Sequence, residues 1–115
     1  MTASAAAPSF PSTYTDPVKV SPGNYRTLLE NEHVRVVEMS LRRGETDNPH
    51  SHPAETVYFV KGGKLRLHLP SGDTAEAEFP DGAAMWHDSW THRVENIGPS
   101  DVLAVIVESQ VGRPQ

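Results

Sequence analysis

From Tyr25 onward, apolar and polar residues alternate in short runs separated by turn residues, which is the period of strands and not of helices. Val34 to Leu41 is rich in β-branched residues and stops at Arg42-Arg43-Gly44. Thr56 to Val60 (TVYFV) is apolar on both faces, which predicts a central strand covered on both sides. Gly62-Gly63 then turns the chain, and Leu65, Leu67 and Leu69 alternate with Arg66 and His68 as in a half-buried strand. After Ser71-Gly72-Asp73, Thr74 to Phe79 forms the next run, ended by Pro80-Asp81-Gly82. Ala83 to His87, His92 to Asn96 and Val102 to Val107 complete the set. About eight short strands with no amphipathic helix predict an all-β sandwich or barrel.

Residues 1–24 carry Ala, Ser, Thr and Pro without a sustained period, and such a segment buries too little apolar surface to order itself alone. It is expected to be a flexible tail, or an arm lying across a partner subunit with Phe10, Tyr14 and Val18 as anchors. The barrel domain is then expected over residues 25–115.

Composition narrows the function classes. A chain of 115 residues fits one domain, and ten prolines, eight glycines and 37% hydrophobic residues fit many turns and short strands. The formal charge of −5 argues against nucleic acid, which needs a basic face that Arg42-Arg43, Lys61 and Lys64 do not make. The absence of cysteine excludes disulfides, a thiolate nucleophile and a zinc-finger ligand set. No apolar run approaches the ~18 residues of a membrane span and no leader pattern is visible, so a cytoplasmic protein is expected.

The chemistry concentrates between Gly44 and Gly62. His50 and His52 are one residue apart, so on a strand both imidazoles point the same way. His92 opens a later strand-like run that could carry it opposite the first two. Three neutral nitrogens with one carboxylate, Glu55, would leave open positions on a divalent metal. Pro53 interrupts the strand before Glu55, so alternation does not decide which way Glu55 faces. It stands as a fourth ligand, a hydrogen-bond partner behind a ligand, or a surface carboxylate. His33 and His68 read as surface residues, and His87 as a strand-end histidine near the cavity mouth. Trp86, Trp90, Tyr58 and Phe59 read as core or rim packing. No G-x-S-x-G elbow, phosphate loop or dinucleotide fingerprint is present.

Gly44, His50, His52, Glu55 and Gly62 together resemble the first cupin motif, with a spacer from His52 to Glu55 one residue shorter than the common form. His92 and Asn96 match the end of the second motif, while His87 and Ser89 stand where that motif usually has proline and glycine. The resemblance spans roughly residues 27–108. It implies a cupin-type jelly-roll β-barrel holding one divalent metal ion per chain at His50, His52, His92 and Glu55. Iron(II) is favoured over manganese, nickel, zinc or copper, because a histidine set with open positions can take substrate and dioxygen together and similar cupins include dioxygenases. The function expected is an iron(II)-dependent oxygenase acting on a small carbonyl- or enol-type substrate. A metal-dependent isomerase or lyase, or a non-catalytic small-molecule-binding cupin, is the alternative. A homodimer is expected, with no nucleic-acid or membrane partner.

Overall fold

The computed structural model describes residues 10–110. In chain order the elements are α1 (Pro17–Val20), β1 (Tyr25–Glu30), β2 (Val34–Leu41), β3 (His50–His52), β4 (Glu55–Lys61), β5 (Gly63–His68), β6 (Thr74–Phe79), β7 (Ala84–His87), β8 (Trp90–Asn96) and β9 (Val102–Ser109). Every named strand pairing is antiparallel. One sheet has the order β1-β2-β9-β4-β7 and the other β3-β8-β5-β6. The all-β architecture expected from alternation, and the jelly-roll barrel implied by the cupin resemblance, are what is observed.

Alternation decides which residues enter the core. In β2, Arg35, Val37, Met39 and Leu41 are buried, and in β9, Val102, Ala104, Ile106 and Glu108 are buried. With Tyr25, Val57 and Phe59 these line the inner face of the five-stranded sheet, and Leu65 and Val94 meet them from the four-stranded sheet. At ~1.5–3 kcal/mol for each larger apolar side chain, this core is the main term favouring the fold. Phe59 also stacks on Phe79, with ring centroids 4.3 Å apart.

Two of the motif glycines have backbone roles. Gly44 has φ of +80°, a conformation that costs glycine little, and Gly62 packs so closely that an added Cβ would run into the Phe79 carbonyl oxygen. Asn96, the motif asparagine, is buried and donates to the carbonyls of Leu41 (3.0 Å) and Ser100 (2.9 Å) while accepting from Gly98 N–H (3.0 Å). It ties the end of β8 to the end of β2.

Two expectations need correction. Thr56 to Val60 is not covered on both sides: Tyr58 is 48% exposed and Val60 42%, because no second layer among the described residues lies on the outer face of the five-stranded sheet. Trp86, read as core or rim, is 59% exposed on the same face.

Of the segment read as tail or arm, residues 1–9 lie outside the described residues. Residues 15–24 run along the barrel itself. Ser51 N–H donates to the Thr15 carbonyl (2.6 Å), Asp16 caps α1 by accepting from Val18 N–H (2.9 Å), and Pro17 and Ser21 are buried. Four helical residues are too few to print a 3.6-residue period, so sequence pattern could not find α1. No helix among the described residues is long and apolar enough to cross a membrane.

Candidate metal centre

The short strand β3 is an edge of the four-stranded sheet and pairs with β8 so that His50 lies opposite His92 and His52 opposite Trp90. Strand alternation turns His50 and His52 inward together, and the cross-strand partner brings His92 to them. All three are buried, with ring centroids 4.7 Å (His50–His52), 4.8 Å (His50–His92) and 5.4 Å (His52–His92) apart. One nitrogen from each lies within 4.8 Å of the others.

Hydrogen bonds fix which nitrogens face the gap. His50 Nδ1 lies 2.8 Å from the Asn48 carbonyl and His52 Nδ1 lies 2.6 Å from Glu108 Oε2. A carbonyl and a carboxylate accept, so each Nδ1 carries a proton and, in the neutral ring, each Nε2 holds the lone pair. Among the described residues, neither ring nitrogen of His92 has a hydrogen-bond partner although both are buried. A buried imidazole without a partner is costly, and a metal ion supplies one. The donor set therefore fits a divalent ion.

Burial pushes His50 down to about 3 and His92 well below the usual imidazole range, with neighbouring histidines adding to both, so these two are neutral donors. Burial acts the same way on His52, but the carboxylates of Glu55, Glu108 and Asp47 outweigh it and hold His52 above the usual value.

Glu55 stands outside the histidine group. Between β3 and β4 the chain crosses from one sheet to the other at Pro53-Ala54, and Glu55 enters the five-stranded sheet opposite His87 and Glu108. Its side chain is buried with Oε1 3.6 Å from His52 Nδ1, and its Oε2 accepts the Trp90 indole N–H at 2.5 Å. Burial, foremost, raises its pKa. His87 stacks on Trp90, with centroids 3.5 Å apart. His33 is exposed, and His68 sits half-buried with Nε2 2.9 Å from Glu95.

Several residues around the histidines were not singled out from sequence. Glu108 accepts from both His52 and Arg35 Nε (2.8 Å), and Arg35 reaches on to Asp16 with two bonds of 2.9 and 3.0 Å. The result is a chain His52–Glu108–Arg35–Asp16, buried as far as Arg35 and half-buried at Asp16. The signal was present: Arg35 is in phase with Val37 and Met39, and Glu108 with Ala104 and Ile106, two opposite charges on inward positions. Tyr25 and Asp47 form a second buried pair, with Tyr25 Oη donating to Asp47 Oδ2 (2.6 Å) and lying 3.3 Å from His50 Nε2. Burial lifts Asp47 to about 7. No local pattern marks Asp47, whose position depends on the fold.

A cavity of about 50 Å³ runs from the histidines into the barrel. His52, His92, Glu55 and Trp90 close its polar end, and Phe59, Leu65 and Ile106 are among its apolar walls. That volume holds only a few heavy atoms.

The sequence matches no family model, and no curated protein is significantly similar to it. Solved structures do match. A cupin domain from Bordetella pertussis Tohama I superposes with a TM-score of 0.67 at 23% identity, covering 74% of this chain and 90% of that one. A double-stranded β-helix protein from Klebsiella pneumoniae gives 0.63 at 22% identity over 88% and 87% of the two chains. The polyketide cyclase RemF from Streptomyces resistomycificus gives 0.56 at 20% identity over 79% and 66%. The fold is that of the cupins, the double-stranded β-helix.

Proposed function

We propose that this cupin-fold protein binds one divalent metal ion per chain through His50, His52 and His92, and works as an iron(II)-dependent oxygenase on a small carbonyl- or enol-type substrate. The observation that carries the reading is the buried His92, unpartnered at both nitrogens among the described residues and beside two histidines whose Nδ1 atoms are held in hydrogen bonds, leaving Nε2 to face the gap. Iron(II) held by neutral imidazoles supplies open positions for a chelating oxygen ligand and for dioxygen.

The chain's own residues supply orientation, apolar walls and a proton site. Glu108 and the Asn48 carbonyl hold the His52 and His50 rings. Phe59, Leu65 and Ile106 present apolar walls to the cavity beside the histidines. Glu55, fixed by the Trp90 indole, holds a carboxylate at that polar end, where its Oε1 can take a proton from an enolisable substrate and return it. In this reading Glu55 is an acid/base group, not a fourth ligand.

The same placement of Glu55 favours a second reading, Lewis-acid isomerisation or elimination with no oxygen consumed. One structural neighbour is a polyketide cyclase, an example of catalysis on this fold in that protein. The test is an oxygen-electrode assay of the anaerobically iron-loaded protein against a panel of small dicarbonyls and enols, with metal content measured in parallel. Substrate-dependent oxygen uptake is expected, with Glu55→Gln retaining metal and losing turnover. No uptake by fully loaded protein across the panel removes the oxygenase reading. Turnover of the same panel by zinc- or manganese-loaded protein would establish the second.

A further inference from the structure

A second, larger space adjoins the histidines at the β3 edge of the barrel. It measures about 320 Å³, against about 50 Å³ for the cavity inside. His52 and Trp90 line both, so the two spaces meet at the polar end of the inner cavity. The Trp90 indole is held there by its bond to Glu55 Oε2. One wall of the outer space is the chain at residues 11–14, and the other is β3 with the turn into β8. The first wall is fastened at Thr15, whose N–H donates to Ser51 Oγ (3.1 Å) and whose carbonyl accepts from Ser51 N–H (2.6 Å).

The lining is polar without being charged. Ser12, Thr13, Tyr14, Ser51, Ser89 and Thr91 bring hydroxyls, and no Lys, Arg, Asp or Glu is among the described residues that line it. A hydroxyl both donates and accepts, so this lining suits a neutral group that does the same, such as an alcohol, ether or amide. An anionic or cationic group would give up water for a site with no opposite charge, which costs free energy. Ser51 and Thr91 bond each other at 2.9 Å across β3 and β8, while Ser12, Thr13 and Ser89 are exposed.

Size points the same way. The inner cavity holds only a few heavy atoms, so a carbonyl or enol larger than that must place its remainder elsewhere. The outer space reaches the lower end of the ~300–1,000 Å³ that pockets for small organic ligands occupy, and it opens beside the same histidine.

We propose that the hydroxyl-lined pocket is the recognition subsite for the remote arm of the substrate, and that the substrate is a small carbonyl or enol whose arm is uncharged and hydrogen-bonding. The assignment rests on the metal reading for the place of the reacting end, and on the pocket alone for the chemistry of the arm. It gives residues 11–14 a role in selecting the substrate.

The experiment titrates the full-length protein, both zinc-loaded and metal-free and without oxygen, with four 1,3-dicarbonyls that differ only in an arm ending in hydroxymethyl, methyl, sulfonate or trimethylammonium. Binding is followed by the indole N–H resonances of the two tryptophans, with Trp86 on the outer face of the other sheet as the internal control. Trp90 alone should shift, and the hydroxymethyl arm should bind at least ~10-fold tighter than either charged arm, in the same order but more weakly without metal. Ser89→Lys, a change at an exposed residue, should keep the wild-type unfolding midpoint and bind the sulfonate arm at least ~10-fold better than wild type does. Equal binding of the four arms, a charged arm tightest on wild type, a shift of Trp86 instead of Trp90, or no binding to either form of the protein overturns the proposal. Failure to take up zinc in a parallel titration removes the metal reading by itself, and the metal-free series still decides the subsite.

Discussion

Replacing Arg35 by methionine tests whether the buried chain behind His52 supports both the fold and the metal centre. The guanidinium side chain is 4% exposed and bonds Glu108 at 2.8 Å and Asp16 at 2.9 Å. Methionine fills similar space but leaves the Glu108 carboxylate, 0% exposed, with His52 as its remaining side-chain hydrogen-bond partner among the described residues. Removing one member of a buried ion pair costs about 3–5 kcal/mol. That is a large share of the ~5–15 kcal/mol that holds a domain together. With ~2.1 cal/mol/K of unfolding entropy per residue over about 100 residues, the metal-free midpoint should fall by about 15–25 °C. The loss should shrink toward pH 5, where a Glu108 without its guanidinium can take up a proton. Glu108→Leu should also be strongly destabilising, because it strands Arg35. The double variant should cost several kcal/mol less than the sum of the two, since each change relieves the other. Urea unfolding of the four proteins closes the cycle. A cost below ~1 kcal/mol for Arg35→Met, or additivity within ~0.5 kcal/mol, would refute the coupling.

Three further outcomes are expected. His92→Ala should abolish the rise in thermal midpoint that wild type shows on adding a divalent ion, while its metal-free midpoint changes far less than that of Arg35→Met, because His92 has no hydrogen bond to lose among the described residues. Ion uptake should release a proton wherever the His52 ring is charged, since His52 is held above its usual pKa and must be neutral to offer Nε2, whereas His50 and His92 are already neutral. Affinity should then rise about tenfold per pH unit below the His52 pKa, and calorimetry in buffers of different ionisation enthalpy that finds no proton released contradicts this assignment. Gly62→Ala should destabilise by more than ~3 kcal/mol, as its Cβ meets the Phe79 carbonyl and not a movable side-chain tip, and a near-wild-type urea midpoint would show that the turn can shift.

How much was legible follows from the range of each interaction. Strand identity, the inward set of β2 and β9, and the shared direction of His50 and His52 are local, because they rest on a two-residue period that the sequence prints directly. The glycines at positions 44 and 62 were visible as motif members, and the structure adds why: one turn with positive φ and one close backbone approach. The direction of Glu55 was not local. Pro53-Ala54 carries the chain from one sheet to the other, so the period restarts and phase information is lost. The helix α1 was too short to have a period. Asp47 and Tyr25 meet His50 only because distant segments converge, and the exposure of Tyr58 and Trp86 depends on whether anything lies over the sheet. An apolar run reads alike whether a second layer of the same chain or a surface awaiting a partner faces it, since hydrophobicity along a strand records burial without naming what does the burying. Sequence thus determined the strands and the histidine claw; tertiary structure decided the carboxylate's place, the Arg35 relay and the uncovered face, because those depend on contacts between residues far apart in the chain.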